Sequence, residues 1–301
     1  MRVLLTGSNG FLGQKLTDML LDRADLSLAC TSRSENRNPR QEGYQFVQIP
    51  LTDLSALADF IQEFQPTHII HTAAISSVEA CESNPAECRL VNVEAPRRLA
   101  EIAKESNIHF SFLSTDFVFD GKAGPYLETD SPNPCNAYGQ SKLDAEQAIL
   151  AVNNQAVILR TILVYGVIQD PGRSNLVLWA KGKLENQASI QVVADQWRMP
   201  TWVDDLARAC ILAAEKQAQG IYHISSSKLY SILELVEQVA DCWQLDHSLI
   251  QAIPAASIGQ DKNRPRRTGF IIDKAISELG FRPSSFADSL QEIEKQLKNH
   301  I

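Results

Sequence analysis

Several absences narrow this 301-residue sequence before any motif is considered. No stretch approaches the roughly 18 consecutive apolar residues of a membrane-spanning helix. No charged segment followed by a long apolar one opens the chain, so no secretion leader is expected. The six cysteines (Cys30, Cys81, Cys88, Cys135, Cys210 and Cys242) form no C-x-x-C pair, which leaves zinc without ligand spacing. A chain of this length does not need disulfide staples, so all six are expected to be reduced thiols in a cytoplasmic protein. A basic surplus is also missing. With 28 Lys and Arg against 36 Asp and Glu the formal charge is −8, which argues against a nucleic-acid or anionic-membrane partner. An anionic small ligand stays compatible, because it feels the local field of its pocket. Repeats and low-complexity linkers are absent.

What is present reads as an α/β protein. Short apolar runs at 3–6, 26–31, 46–49, 68–73, 110–114 and 156–165 predict strands. Helical patterns over 11–21, 54–64, 88–105 and 137–151 alternate with them. Such alternation implies right-handed crossovers and a mostly parallel, doubly wound sheet with helices on both faces. Parallel strands are buried on both sides, which explains their near-continuous apolar character. Beyond about 167 the alternation stops. Helices are expected at 175–183, 204–216, 231–243 and 286–299, with extended pieces at 190–193 and 221–224 and a loop at 254–269. The expected organisation is a Rossmann cofactor domain over 1–167, to which later segments return, and a smaller, mainly substrate-binding α/β domain over 168–301.

The first strand runs into Thr6-Gly7-Ser8-Asn9-Gly10-Phe11-Leu12-Gly13, a G-x-x-G-x-x-G pattern opening the first helix. Gly7 permits the tight turn, Gly10 lets backbone approach a pyrophosphate, and Gly13 lets helix pack close to strand. The helix N-terminus adds free N–H groups and partial positive charge. An NAD site usually places an acid about 20 residues on, at the end of the second strand. Here that strand ends Thr31-Ser32-Arg33. Arg33 can meet a 2′-phosphate, with Ser32 as a hydrogen-bond donor, so NADP(H) is expected ahead of NAD(H). Asp53, followed by Leu54, can accept from an adenine amino group, cap the next helix, or do both.

Tyr138 and Lys142 make a Y-x-x-x-K pair, and residues i and i+4 share a helix face. Lys142, together with the positive charge of an oxidised nicotinamide, is expected to lower the phenol pKa toward a value useful for proton transfer. Thr115 falls just past the fifth strand, where open α/β sheets bind ligands, and its hydroxyl can polarise a carbonyl. The basic run Lys262, Arg264, Arg266 and Arg267 can meet a nucleotide diphosphate or form a solvated loop. Trp197 and Trp202 can face a sugar or base, or simply pack.

Taken together, Thr6–Gly13, Ser114–Gly121, Asn136–Lys142, the Arg160–Gly166 strand motif, Ala194-Asp195-Gln196, Pro200-Thr201 and Arg264-Pro265 resemble the extended short-chain dehydrogenase/reductase family, and within it the dTDP-4-dehydrorhamnose reductases. The resemblance covers nearly the whole chain. It implies a catalytic set of Thr115, Tyr138 and Lys142. It further implies a cofactor-lining segment containing His71, Ala73 and Ala74, a framework role for Asn92 beside the cofactor, and substrate contacts from Asp116 and Arg264. Its departures lie on the substrate side. Ile162-Leu163 stands where these reductases often carry Ser-Trp, Arg198 where many have Gly, and Arg266–Phe270 replaces the usual residues after Arg-Pro. The implied activity is NADPH-dependent reduction of the 4-keto group of a nucleotide-activated deoxysugar. The alternatives are a sugar-nucleotide epimerase or dehydratase on the same fold, and a non-catalytic NADP-binding regulatory subunit. The sequence leaves a homodimer open.

Overall fold

The computed structural model describes residues 1–168 and 174–299. Residues 169–173 and 300–301, inside the expected second domain, lie outside the described residues. Seven parallel strands form the central sheet: β1 (Arg2–Thr6), β2 (Ser27–Ser32), β3 (Gln45–Gln48), β4 (His68–His71), β5 (His109–Thr115), β6 (Val157–Thr161) and β7 (Gly220–Ile224). Their order is β7-β6-β5-β4-β1-β2-β3, so the winding reverses between β1 and β4. The C-terminal ends of these two strands open the crevice where such sheets bind ligands. Thr6 stands beside Thr31 on one side and His71 on the other, which sets the floor of that crevice.

Alternate residues of each strand feed two cores. Val3, Leu5, Leu28, Cys30, Ile70 and Leu159 pack on one face, together with helices Phe11–Leu21 and Val203–Glu215. Leu4, Ala29, Ile69, Phe110, Phe112 and Ile158 pack on the other, under helices Leu54–Phe64, Ala95–Glu105 and Ala137–Val152. This two-sided burial is why the strands carry no polar alternation.

Past β6 the chain leaves the sheet, returns as β7, and leaves again. The outer unit is built from helices Leu176–Glu185 and Ile232–Trp243 and a parallel pair, Ile190–Val193 with Ile250–Ile253. An antiparallel pair joins Trp197–Arg198 to Tyr230–Ser231.

Three local expectations change. The run over 156–165 divides into β6 and a two-residue strand, Val164–Tyr165, because Leu163 adopts φ 38° between them. The expected helix over 88–105 begins as Pro85–Arg89 and widens into a π-turn, Leu90–Glu94, before the α-helix that carries Pro96 in its first turn. Proline lacks the N–H that a regular helix interior requires, and a π-turn absorbs the mismatch. Cys81 and Cys88 are joined in a disulfide, with Cα atoms 5.1 Å apart, whereas the sequence reading expected both as thiols. Two short helices facing each other across Asn84-Pro85 bring the sulfurs together, and sequence spacing alone carries no sign of that geometry. Cys30, Cys135, Cys210 and Cys242 are free.

Candidate active site

A cavity of about 1320 Å³ runs across the C-terminal ends of the strands into the outer unit. Its first end is made largely of backbone. Gly7 holds φ +81°, and a Cβ there would lie 2.7 Å from the backbone N of Ala73. At Gly13 a Cβ would sit 2.1 Å from the Gly7 carbonyl oxygen. The turn after β1 is therefore pressed against both its own helix and the segment after β4, leaving room only for glycine. Gly7, Asn9, Gly10, Phe11, Leu12, Gly13, Ala73 and Ala74 line this end, and Ser32 and Arg33 border it.

Arg37, which is not among the residues expected here from sequence, also lines it. Asn9 explains its place. Its side-chain N–H donates to the Glu35 carbonyl at 2.7 Å, and its Oδ1 accepts from the Arg37 backbone N at 2.9 Å. One residue of the glycine loop thus braces the loop after β2, bringing a second guanidinium to the side where Arg33 stands. The sequence signal was a further arginine four residues on, in the same polar loop.

Five residues expected against the cofactor stand behind this wall. Ser8 is fully buried, its hydroxyl turned toward the Thr31 carbonyl at 3.4 Å. Asp53 caps the next helix, accepting from Ala56 N at 3.0 Å, while its neighbours Leu51 and Thr52 line the cavity and Leu54 turns away. His71 stacks against Phe112 with ring centroids 5.8 Å apart, and its Nδ1 meets the Thr6 hydroxyl at 2.7 Å. Burial pulls the His71 pKa down to about 3, so the ring is neutral. Asn92 works as a clamp. Its amide donates to the Ile75 carbonyl at 3.0 Å and the Ser141 hydroxyl at 3.0 Å, and its Oδ1 accepts from Ile75 N at 2.8 Å. It ties the cavity-lining segment after β4 to the helix that carries Tyr138.

The residues expected to be catalytic come together on this cavity. Thr115 ends β5, and the 3₁₀ turn Asp116–Val118 follows it. Helix Ala137–Val152 is capped by Asn136, which accepts from Gly139 N at 2.7 Å and donates to the Asn263 carbonyl at 2.9 Å. A Cβ on Gly139 would meet the Phe117 carbonyl oxygen at 2.1 Å, so the helix rests directly on the turn after Thr115. This contact places Tyr138 beside Thr115. Thr115, Asp116, Tyr138 and Lys142 all line the cavity.

The electrostatics differ from the sequence expectation. Burial pushes the Tyr138 phenol up to about 12; a hydrogen bond with Thr115 pulls it down and the nearby Asp116 raises it further. Desolvation is the largest of these effects, and Lys142 is not among the groups that shift the phenol. Burial brings the Lys142 ammonium down to about 7, with the charge of Glu146 pushing back up. Lys142 Nζ lies 3.8 Å from the centroid of the Phe112 ring. Glu146, one turn further along the helix, is locked in a buried pair with Arg160 at 2.6 Å and accepts from Ser114.

The residues expected on the substrate side divide. Asp116 is buried between Thr268, whose hydroxyl donates to it, and the Arg198 guanidinium 3.9 Å away; burial raises its carboxyl pKa against the pull of Arg198. Arg198 spends its other N–H groups on the carbonyls of Trp197 (2.7 Å) and Pro265 (2.7 Å), pinning the loop that follows Arg264. The basic run is split by that loop. Arg264 reaches the cavity, whereas Lys262, Arg266 and Arg267 face a separate basin that Arg264 also borders. In that basin Arg266 lies over the Trp197 ring. Trp202 is buried, Ile162 is fully buried, and Leu163 lines the cavity. Among the described residues no cluster of three metal-ligating side chains occurs and no helix is long and apolar enough to cross a membrane.

The family model described as RmlD substrate binding domain matches residues 1–299. Methionine adenosyltransferase 2 subunit beta of Xenopus tropicalis is 33% identical over 267 residues, covering 86% of this chain and 77% of that protein. A dTDP-4-dehydrorhamnose reductase from Bacillus anthracis, solved in complex with NADP, superposes with a TM-score of 0.83 at 25% identity, covering 98% of this chain and 99% of the other. A UDP-glucose 4-epimerase from Thermus thermophilus, in complex with NAD, gives 0.86 at 26% identity over the whole of both chains.

Proposed function

Because this chain belongs to the RmlD substrate-binding domain family, we propose that it is a reductase that uses NADPH to convert the 4-keto group of a nucleotide-activated deoxysugar to an alcohol. The observation that carries this reading is Thr115, Tyr138 and Lys142 facing one cavity that begins at a glycine-lined helix N-terminus. That end fits a dinucleotide: the N–H groups of Gly7, Ser8 and Gly10 hold the turn together on the Thr31 and Gly7 carbonyls, the N-terminus of helix Phe11–Leu21 suits a pyrophosphate, and Arg33 and Arg37 suit a 2′-phosphate. When bound, the nicotinamide supplies the hydride.

The protein's own residues handle the oxygen. Thr115 Oγ1 donates to Asp116 at 3.2 Å and accepts from Phe117 N at 3.3 Å, so swinging its proton onto the ketone oxygen gives up one weak hydrogen bond. Tyr138 is the general acid. A phenol with its pKa near 12 is held protonated at neutral pH and is still a much stronger acid than the alcohol being formed, so the proton passes to the developing alkoxide. Lys142, its pKa brought to about 7 by burial against the upward pull of Glu146, is partly protonated at neutral pH and in that form supplies positive charge beside the site. Orientation and stabilisation of the oxyanion supply most of the rate.

The test is NADPH oxidation, followed by absorbance, against a panel of nucleotide 4-keto sugars. Stoichiometric NADPH loss with one of them supports the reading; interconversion of sugars without net NADPH loss replaces it with an epimerase.

A second reading has its own support, since the relative that is 33% identical is named as a regulatory subunit. In that case the chain binds NADP and modulates a partner enzyme. A stoichiometric partner in a pull-down, with no turnover on the panel, would favour it.

A further inference from the structure

Two buried N–H groups on the cavity wall have no acceptor in the protein. Gln196 is only 5% exposed, lines the cavity, and leaves Nε2 without a hydrogen-bond partner. Arg264 lines the same cavity, and its Nε is likewise buried and unpartnered. Buried donors are nearly always satisfied in native proteins, so two left open along the lining of one cavity point to a ligand rich in acceptors. The neighbouring nitrogen on the same edge of the guanidinium is engaged. Arg264 Nη2 donates to Glu79 at 2.5 Å, a contact between residues 185 apart in sequence.

Glu79 is placed for this contact. It sits in the first turn of helix Val78–Ser83 and accepts from the Ser77 hydroxyl at 2.9 Å, and its neighbour Ala80 lines the cavity. Its side chain is 66% exposed, while that of Arg264 is 24% exposed. The pair therefore bridges the segment after β4 and the Asn263–Arg264 loop, with its weaker, wetter partner on the outside. An ion pair this exposed is worth at most about fivefold in an equilibrium constant. A phosphate group accepting from the unspent N–H groups of both Arg264 and Gln196 would make more charge-assisted hydrogen bonds than the single one from Arg264 Nη2 to Glu79.

Resting on the nucleotide-sugar reading above, we propose that Gln196 joins Arg264 in holding the diphosphate of the substrate, and that Glu79 is a built-in competitor anion that retains Arg264 until a diphosphate takes it. The two new roles act in opposite directions. Gln196 favours binding, and Glu79 opposes it.

Calorimetric titration of the full chain, saturated with NADP⁺ to occupy the glycine loop, tests both roles with dTDP and inorganic pyrophosphate as ligands and thymidine as the phosphate-free control. Glu79→Gln should tighten dTDP and pyrophosphate by about threefold and leave thymidine unchanged. Gln196→Leu should weaken both phosphate ligands by about tenfold, and the isosteric Gln196→Glu should weaken them further. NADP⁺ affinity equal to that of the parent protein shows that each variant is folded. Unchanged or weaker phosphate binding in Glu79→Gln overturns the competitor role. Unchanged binding in both Gln196 variants overturns the donor role. Neither readout requires turnover, so absence of activity on the keto-sugar panel counts against the reductase reading without touching this one.

Discussion

The two ends of the cavity are built by different means. At the glycine end the wall is backbone from the first 74 residues, held in place by neighbouring strands in register and by helix Phe11–Leu21. The dinucleotide binding proposed for it draws on the helix N-terminus and its dipole, with Arg33 and Arg37 at the border. At the other end the wall is side chains (Thr115, Tyr138, Gln196, Arg198 and Arg264) drawn from four separate stretches of chain. There each polar atom has its own job, and deleting one atom removes one function. The contrast teaches that binding of a dinucleotide should survive most single substitutions, whereas the chemistry and the choice of substrate should not.

The largest expected effect breaks the contrast at the side-chain end. Tyr138→Phe removes one oxygen and leaves the Phe117 packing, in which the two ring centroids lie 6.0 Å apart. Turnover should fall by about 10²- to 10⁴-fold with NADPH affinity unchanged; retained activity in a steady-state assay would take Tyr138 out of the mechanism. A smaller effect sharpens the other end. Arg33→Ala should raise the KM for NADPH by about tenfold and leave that for NADH nearly unchanged, because only the 2′-phosphate loses its charged partner. A parent enzyme that already prefers NADH would sink this assignment.

The smallest effect lies beneath both ends and concerns pH. His71 and His223 are each held neutral, with pKa values lowered to about 3 by burial, His223 also by the Arg160 guanidinium. The unfolded chain binds protons at these rings below about pH 6.5 while the folded chain does not. Stability contributed by the neutral rings is therefore present above that pH and lost progressively as pH falls toward 3. Urea unfolding midpoints should drop between pH 7 and pH 5, and His223→Gln should flatten the decline. A midpoint that stays level over this range in the parent protein would contradict the neutral assignment.

Local patterns carried much of this molecule in its sequence. The alternation of apolar runs and helical periods specifies a parallel sheet, since each period follows from what a strand or helix must bury. Glycines at 7, 10 and 13 and the i, i+4 pair at 138 and 142 are legible for the same reason, because their geometry is set within one turn of chain. Tertiary structure alone decided the contacts that join distant segments. It turned His71 into a packing ring and Asn92 into a clamp. It joined Cys81 to Cys88, divided a continuous basic run between two faces of one loop, and set Glu79 against Arg264. Such outcomes depend on which side chain reaches which partner after the chain has folded, and burial then shifts charge states by amounts that no spacing rule contains. Tyr138 illustrates the division: its position is written in the sequence, but its raised pKa arises only when the fold withdraws water from it.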